Sequence, residues 1–220
     1  MNKIHFDVDS SNGIHFMQNI NCSVNESIAR YSEIIEMAQA SNIPVRGYLS
    51  TVVACPYEGR IDARAVARRT EELLEMGCYE VSLGETIGVA TAASTRQMLQ
   101  AVTTAVPANR LAVHFHDTYG QAVANTLVAL EEFDIRTVDA AVAGLGGCPY
   151  APGAAGNLAT EDVVYLLDGS GVSTGLSMDG LVEAAEFVTG ILKRPSRSKA
   201  GVAYAASQRK RSDCLDAKEK

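Results

Sequence analysis

Residues 144–157 read GLGGCPYAPGAAGN and hold five glycines, two prolines and one cysteine. Glycine permits positive φ and close backbone approach, and proline fixes its own φ, so this composition predicts a shaped loop. The preceding residues 136–144, RTVDAAVAG, have the β-branched and apolar character of a strand, and residues 157–169, NLATEDVVYLLDG, predict a helix. This order places Cys148 and Asn157 at the C-terminal end of a strand, where α/β barrels carry their chemistry. The alternative is a structural loop with a buried thiol.

The same alternation of strands and helices runs through the rest of the chain. Near-continuous apolar strands with short connections are typical of a parallel sheet that is buried on both faces. Ser23 and Glu26 form an S-x-x-E capping box at the start of the first helix. Predicted strands lie at residues 3–9, 45–54, 78–83, 111–115 and 137–142, and predicted helices at 23–41, 62–76, 159–168 and 178–193, with two more helices around Met98–Val106 and Val123–Leu130.

Five strand–helix units are fewer than the eight of a closed barrel. We therefore predict an α/β fold, namely a partial TIM (β/α) barrel over residues 1–194 that is open where the first strands are missing. A five-stranded doubly wound sheet also fits the alternation, but no G-x-G-x-x-G follows the first strand, which argues against a dinucleotide site. Because open strand edges expose backbone donors and acceptors, we expect association through these edges or a homo-oligomer.

Charge is distributed unevenly along the chain. The net charge is −7, yet residues 193–220 carry nine Lys and Arg against three Asp and Glu. Residues 195–220 therefore predict a flexible basic tail, with attraction of a phosphorylated ligand as the alternative. The acidic remainder argues against a nucleic-acid partner, and no apolar run is long enough to cross a bilayer. We expect neither nucleic acid nor a membrane as a partner.

The cysteines indicate a reducing compartment. All five are scattered, without C-x-x-C pairs, which argues against a disulfide framework and a structural zinc site. Cys22 and Cys78 lie beside apolar segments and are predicted core thiols. No N-terminal signal pattern or transit peptide is present. We expect a cytoplasmic protein if the source is bacterial and a mitochondrial matrix protein if it is eukaryotic.

His114 and His116 lie two apart at the end of a predicted strand. Side chains at this spacing point to the same side, about 7 Å apart along the strand, so both imidazoles can reach one ion. Asn157 offers an amide oxygen as a third ligand, and the alternative for this residue is an N-cap of the next helix. Two imidazoles and an oxygen suit Mg²⁺ or Mn²⁺ better than structural zinc, although zinc with Cys148 as a ligand remains open.

Glu85 follows another strand, in SLGETIG, and is the candidate carboxylate of the same rim of strand ends. The alternative is a surface glutamate in a turn. In the glycine-rich loop, Pro149 and the surrounding glycines favour presentation of the Cys148 thiol to a substrate.

Four segments, GYLSTVVACPYEGR, MGCYEVSLGETIGV, LAVHFHDTYGQAVANTLVAL and VAGLGGCPYAPGAAGNLATEDVVYLL, closely resemble the 3-hydroxy-3-methylglutaryl-CoA (HMG-CoA) lyases. The resemblance is nearly continuous from about Asn19 to Lys199. The wider metallolyase barrel family, which includes isopropylmalate synthase, homocitrate synthase and hydroxy-oxovalerate aldolase, shares the H-x-H strand. The GGCPYA loop indicates the lyase branch.

The resemblance implies that His114, His116 and Asn157 bind a divalent cation, usually Mg²⁺ or Mn²⁺, that holds the tertiary hydroxyl and a carboxylate of an acyl-CoA substrate. Deprotonation of that hydroxyl would drive C–C cleavage to acetoacetate and an acetyl-CoA enolate. The resemblance also implies that Cys148 transfers a proton and that Glu85 belongs to the catalytic residues. The substrate-binding loop would include Gly146, Gly147, Pro149 and Tyr150.

Two departures from the family pattern bear on activity. The family has Asp where this chain has Glu85, and the extra methylene would move the carboxylate by more than about 1 Å. The family's first strand carries an Arg-Asp pair, in which Asp is a metal ligand and Arg steadies the enolate, and this pair has no counterpart here. Residues 3–13, KIHFDVDSSNG, match the family's fourth strand only loosely. We therefore expect weak metal binding and little turnover from the isolated chain.

Two alternatives to an HMG-CoA lyase stay open on the sequence. One is a non-catalytic protein, either a truncated remnant or a half-barrel that binds a partner. The other is a related metallolyase or aldolase that acts on another hydroxy-acyl-CoA or hydroxy acid, which Glu85 would permit.

Overall fold

The computed structural model of the chain describes residues 6–7, 24–147 and 156–216. They fall into two compact units, the first ending at Asp139 and the second formed by residues 140–147 and 156–216. The predicted extent of the partial barrel, residues 1–194, stays a prediction. The predicted cap residue Ser23 lies outside the described residues.

The first unit alternates strands and helices in the predicted order. Its sheet has the strand order β1-β2-β5-β6-β7, and every neighbouring pair is parallel, which confirms the predicted α/β fold. The elements are β1 (Phe6–Asp7), α1 (Val24–Ala40), β2 (Arg46–Ser50), β3 (Ala54–Cys55), β4 (Gly59–Arg60), α2 (Ala63–Glu75), β5 (Glu80–Glu85), α3 (Ala92–Ala105), a 3₁₀ turn (Ala108–Arg110), β6 (Leu111–Phe115), α4 (Ala122–Phe133) and β7 (Thr137–Asp139).

The strand predicted at residues 45–54 is interrupted at Thr51. This buried residue has φ +56°, a left-handed conformation that is costly for a β-branched side chain and that ends the regular ladder. Its N–H donates to Oγ1 of Thr86 at 2.7 Å, which ties the end of β2 to the end of β5. After the interruption, β3 and β4 form a short antiparallel hairpin. Strands of two residues are too short for a sequence period to reveal.

The two faces of the parallel sheet differ in chemistry. Tyr48 pairs with Ser82 in the strand register, and His114 pairs with Asp139, so alternate side chains of adjacent strands share a face. Strands β2, β5 and β6 are largely buried as expected, whereas β7 is exposed or half-buried. The expectation that both faces are apolar is wrong. The polar face carries Arg46, Tyr48, Glu80, Ser82, His114, Thr137 and Asp139, and the apolar face carries Leu49, Val81, Leu83, Leu111, Val113 and Phe115.

Helix α2 packs on the apolar face of the sheet. Its Leu73 lies against Gly47 of β2, together with Val81 of β5. Leu73 and Val81 are both buried. Burial of such side chains is the main stabilising contribution in this layer, at roughly 25 cal/mol per Å² of apolar area. The polar face is therefore left to carry chemistry.

The second unit contains three helices that follow a short turn. The turn is held by Ala141, whose N–H donates to Leu158 at 3.0 Å and whose carbonyl accepts from Thr160 at 3.0 Å. The elements are a 3₁₀ turn (Val142–Gly144), α5 (Thr160–Gly169), α6 (Met178–Leu192) and α7 (Lys199–Asp216). Across all the described residues, no helix combines the length and the apolar character that crossing a membrane requires.

Helix α7 lies within residues 195–220, the stretch whose charge predicts a flexible basic tail. Ser198 precedes the helix, and its hydroxyl donates to Asp162 Oδ1 at 2.7 Å and accepts from the N–H of Gly201 at 2.8 Å. Arg209 of α7 reaches Glu186 of α6 at 2.6 Å. The stretch that follows Ser198 is rich in alanine, the strongest helix former. The prediction of a tail used the charge of the segment alone, and charge carries no information about the hydrogen bonds of Ser198 at the start of the helix.

Candidate functional site

His114 and His116 lie on the same side of the chain at the end of β6, as their spacing predicts. Their ring centroids are 5.2 Å apart with an interplanar angle of 60°. The side chain of His114 is 28% exposed, whereas His116 is buried. Two imidazoles in contact at the C-terminal end of a strand can serve as ligands to one ion.

His116 is held in a defined orientation by the main chain of β5. Its Nδ1 lies 2.7 Å from the carbonyl oxygen of Glu85. A carbonyl oxygen can only accept, so Nδ1 carries the hydrogen and Nε2 carries the lone pair. Burial lowers the pKa of His116, and the neighbouring His114 lowers it further. The ring is therefore neutral at pH 7, which is the form that binds a metal.

Asp139 lies beside the other imidazole. Its Oδ2 is 3.7 Å from Nδ1 of His114. The hydroxyl of Ser82 donates to Oδ2 at 2.7 Å, and Nη1 of Arg46 donates to both carboxylate oxygens at 2.9 and 3.1 Å. Burial acts to raise the pKa of Asp139, but the nearby imidazole of His114, the hydrogen bond from Ser82 and the charge of Arg46 outweigh it and bring the pKa to about 2. The carboxylate is thus ionised at neutral pH.

Arg46 is a buried cation between two carboxylates. Its Nε donates to Glu80 at 2.6 Å, and its side chain is 5% exposed. Nη1 also donates to the hydroxyl of Tyr48, and the guanidinium carbon lies 4.9 Å from the centroid of that ring. Burial acts to lower the pKa of Arg46, but the bond to Glu80 and the charge of Asp139 reverse the shift and raise it. The guanidinium stays charged, and its Nη2 is buried without a hydrogen-bond partner among the described residues.

Glu85 turns its side chain away from the histidines. Gly84, not Glu85, pairs with His114, while Glu85 pairs with Phe115 on the apolar face. The carboxylate is 1% exposed, and its Oε1 accepts from the N–H of Val89 at 3.1 Å. Burial raises the pKa of Glu85 to about 7 against the opposing hydrogen bonds of the loop N–H groups. These contacts hold the loop after β5, and the predicted catalytic role of Glu85 stays a prediction.

Asn157, in the second unit, has an unsatisfied amide oxygen. Its Nδ2 donates to the carbonyl oxygen of Leu145 at 2.8 Å. Its Oδ1 is buried and has no hydrogen-bond partner among the described residues. A buried acceptor of this kind costs free energy unless an ion, a ligand or water completes it. The alternative of a helix N-cap is excluded, because Ala159 is the N-cap residue of α5.

The absence of a side chain at Gly146 leaves space for the side chain of Asn157. Gly146 has φ +94°, and a Cβ at this position would collide with Nδ2 of Asn157. Gly147 is exposed, and the predicted substrate-binding role of both glycines stays a prediction. The remaining residues predicted for this loop, Cys148, Pro149 and Tyr150, lie outside the described residues.

The described ranges 24–147 and 156–216 contain no group of three or more His, Cys, Asp or Glu side chains that could hold a metal ion. The two imidazoles belong to the first unit and Asn157 to the second. Their convergence on one ion stays a prediction.

Sequence reasoning missed the buried Arg46 and Glu161 and the half-buried Asp139. Arg46 and Asp139 lie in segments that the sequence predicts as largely apolar strands. A charged residue within such a strand is the signal that could have identified them, because a buried charge requires a partner. Glu161 is fully buried, and both of its carboxylate oxygens accept from the N–H of Ala143, at 2.9 and 3.0 Å. Burial raises the pKa of Glu161.

Comparison with known proteins places these features in a family. The HMGL-like family model matches residues 1–188 of the chain. The chain belongs to the HMGL-like family. It is 54% identical over 182 residues to each of the proteins named hydroxymethylglutaryl-CoA lyase, mitochondrial, from Gallus gallus and Homo sapiens, which is 83% of the chain.

Solved structures of lyases extend the similarity to the fold. Hydroxymethylglutaryl-CoA lyase from Pseudomonas aeruginosa superimposes with a TM-score of 0.88 at 47% identity, covering 93% of this chain and 67% of that one. An HMG-CoA lyase from Acinetobacter baumannii in complex with coenzyme A and 3-methylmalate gives a TM-score of 0.84 at 31% identity, covering 91% of this chain and 64% of that one. This HMGL-like chain spans 61% of the Gallus gallus relative and 56% of the Homo sapiens relative.

Proposed function

We propose that this chain is part of a carbon–carbon lyase of the HMG-CoA lyase type, which cleaves the acyl-CoA substrate 3-hydroxy-3-methylglutaryl-CoA to acetoacetate and acetyl-CoA. The observation that carries the proposal is the imidazole pair at the end of β6, with His116 fixed so that its Nε2 is available, in a chain 54% identical to lyases of that name. The HMGL-like family is metal-dependent.

The residues present fit a hard divalent cation, and we propose Mg²⁺ or Mn²⁺. His114 and His116 supply imidazole nitrogens, and the unsatisfied Oδ1 of Asn157 supplies an oxygen of the kind such ions prefer. Bound there, a divalent cation would supply the positive charge that stabilises a developing negative oxygen on the substrate. A zinc site with Cys148 is the weaker fit, because zinc favours sulfur and nitrogen ligands over an amide oxygen.

Cys148 is the proposed proton donor, and the substrate-binding loop with Gly146, Gly147, Pro149 and Tyr150 would present it. Transfer of the proton of the tertiary hydroxyl to a water molecule lets its oxygen form the ketone of acetoacetate as the adjacent C–C bond breaks. The electron pair of that bond leaves with the acetyl-CoA fragment as an enolate. The thiol of Cys148 gives its proton to the enolate carbon and becomes a thiolate, a role suited to a thiol near a cation at neutral pH.

The compartment follows from the source under this proposal. The Gallus gallus and Homo sapiens relatives are named as mitochondrial. We expect the mitochondrial matrix for a eukaryotic source and the cytoplasm for a bacterial one.

Helix α6 carries an apolar face that supports self-association. Phe187 and Ile191 are one turn apart on this helix, and they are 71% and 64% exposed. Contiguous exposed apolar surface is typical of interaction sites. We propose a second copy of the chain as the occupant, in line with the association expected from the open strand edges. Sedimentation equilibrium should show a concentration-dependent dimer that Phe187→Ser weakens, and a strictly monomeric wild-type chain would contradict this.

Metal binding by the 220-residue chain provides the first test of the function. Titration with Mn²⁺, with the free ion followed by electron paramagnetic resonance, should show weak binding that His116→Gln abolishes. His15→Gln is the matched control, because it removes a histidine outside the predicted ligand set. Binding that is equal in all three proteins would remove the basis of the metal site.

Turnover provides the second test. The match leaves 39% of the Gallus gallus relative and 44% of the Homo sapiens relative uncovered (100 − 61 and 100 − 56). We therefore expect the chain alone to form little acetoacetate. Fusion to the segment of the Gallus gallus relative that precedes the matched region should raise the rate. No acetoacetate from the fusion would contradict the lyase proposal, and turnover of a different hydroxy acid would favour the related-metallolyase alternative.

A further inference from the structure

We propose that Asp139 is a positioning residue that fixes the hydrogen of His114 on Nδ1 and so presents Nε2 to a cation. This inference rests on the proposed metal site. Oδ2 of Asp139 lies 3.7 Å from Nδ1 of His114, and within the described part of the chain this is the one carboxylate within 4.0 Å of a histidine nitrogen. The two residues are register partners in the β6–β7 ladder and share the polar face of the sheet.

Asp139 is itself held from two other strands. Arg46 of β2 donates through Nη1 to both carboxylate oxygens at 2.9 and 3.1 Å, and Ser82 of β5 donates to Oδ2 at 2.7 Å. The carboxylate therefore cannot turn without breaking several bonds in a buried region. Because the carboxylate of Asp139 accepts hydrogen bonds from Arg46 and Ser82, it acts as an acceptor. An imidazole beside it is therefore stabilised when it points an N–H toward it.

The neighbouring histidine also has an acceptor facing its Nδ1, at hydrogen-bond distance. Nδ1 of His116 lies 2.7 Å from the carbonyl oxygen of Glu85. An acceptor thus faces Nδ1 of each of two rings whose centroids are 5.2 Å apart, through a hydrogen bond for His116 and at 3.7 Å for His114, so the inference assigns the same tautomer to both. Both lone pairs lie on Nε2. An outer-shell acceptor that fixes ring and tautomer in this way characteristically strengthens metal binding by roughly 10- to 100-fold.

A purely structural role for Asp139 would be to neutralise the buried Arg46. Glu80 also does this, through a 2.6 Å bond to Nε of Arg46. Glu80 is therefore a matched control. Asp139→Ala leaves Arg46 paired with Glu80, and Glu80→Ala leaves it paired with Asp139, so each variant removes one of two carboxylates around the same cation. Only the Asp139 variant removes the acceptor beside His114.

The test is long-range ¹H–¹⁵N correlation of the 220-residue chain labelled with ¹⁵N in histidine, recorded without metal at neutral pH. His114→Gln and His116→Gln assign the signals. We expect both rings of the wild-type chain in the Nδ1–H form. Asp139→Ala should move His114 alone toward the Nε2–H form, and Glu80→Ala should leave both rings unchanged.

The wild-type spectrum can overturn the inference without any variant. His114 in the Nε2–H form would do so even if Asp139→Ala does not fold. An unchanged His114 in folded Asp139→Ala, or an equal change in Glu80→Ala, would show that Asp139 serves the fold and not the ring.

Mn²⁺ affinity separates this inference from the proposed function. A loss of about 10-fold or more in Asp139→Ala, with little change in Glu80→Ala, supports the positioning role. Equal Mn²⁺ affinity in the wild-type and Asp139→Ala chains contradicts the positioning role and leaves the metal site standing. Absent Mn²⁺ binding in every protein, with the expected tautomers, contradicts the metal site while Asp139 still fixes the ring.

Discussion

The buried carboxyl group of Glu85 should make the stability of the first unit depend on pH. Its pKa is raised by burial from 4.5 to about 7. Between these values the unfolded chain is ionised at this position while the folded chain keeps the proton. The folded state therefore binds more protons in this window, and its stability falls as the pH rises from 4.5 toward 7. A shift of this size corresponds to about 3 kcal/mol.

Glu85→Gln removes this titration and keeps the shape of the side chain. We expect the free energy of unfolding of the wild-type chain to decline by about 3 kcal/mol between pH 4.5 and 7.5 relative to that of Glu85→Gln. Urea unfolding at a series of pH values, followed by far-ultraviolet circular dichroism, measures both. Glu161 is another buried acid with a raised pKa. Because both proteins contain it, its contribution cancels when the pH dependence of their unfolding free energies is compared.

Glu132→Gln is the matched control. Glu132 is an exposed carboxylate whose pKa is lowered by its hydrogen bond with Arg96, so it does not titrate in the same window. This variant should follow the wild-type profile between pH 4.5 and 7.5. Parallel profiles for the wild-type and Glu85→Gln chains would refute the reasoning, because they would mean that Glu85 is ionised in the fold throughout.

Three further predictions concern the second unit and the cysteines. Gly146→Ala should weaken Mn²⁺ binding, because the added carbon would displace Asn157. Gly175→Ala is the control and should not weaken it, because Gly175 has φ +71° and no atom lies within 4 Å of the added carbon. Equal Mn²⁺ affinities of the two variants in a titration would contradict this. Ser198→Ala should lower stability by about 1 kcal/mol, seen as faster hydrogen exchange at the start of α7, and unchanged exchange there would count against the cap. Cys148 should react with limiting thiol reagent faster than Cys78, whose pKa burial raises to about 11, as mass-spectrometric mapping would show; equal rates would remove the basis of the proton-donor role.

The order of elements could be predicted from the sequence because it follows from local patterns. The strand at residues 111–115 agrees with β6, and the helix at 62–76 differs from α2 by one residue at each end. Apolar periodicity and helix-end signals each depend on only a few consecutive residues. Asp62, for example, caps α2 by accepting a 3.0 Å hydrogen bond from the N–H of Arg64.

The contacts of the site could be predicted only in part, because they join distant positions. The spacing of His114 and His116 places both rings on one side, and the structure confirms this. The pairing of Arg46 with Asp139 spans 93 positions, and no local pattern encodes it. Likewise, Glu85 was grouped with the histidines because its strand ends nearby, but the strand register turns its side chain to the opposite face.

The acceptor that fixes His116 is a main-chain atom, and this has a consequence for divergence within the family. Any amino acid at position 85 provides the same carbonyl oxygen, provided that the backbone of β5 keeps its course. Aspartate in place of Glu85 would therefore leave the orientation of that ring unchanged. His114 depends instead on the side chain of Asp139, so a single codon change can remove its acceptor. Substitution at position 85 should thus leave the orientation of the His116 ring unchanged, whereas substitution at position 139 should release the ring of His114.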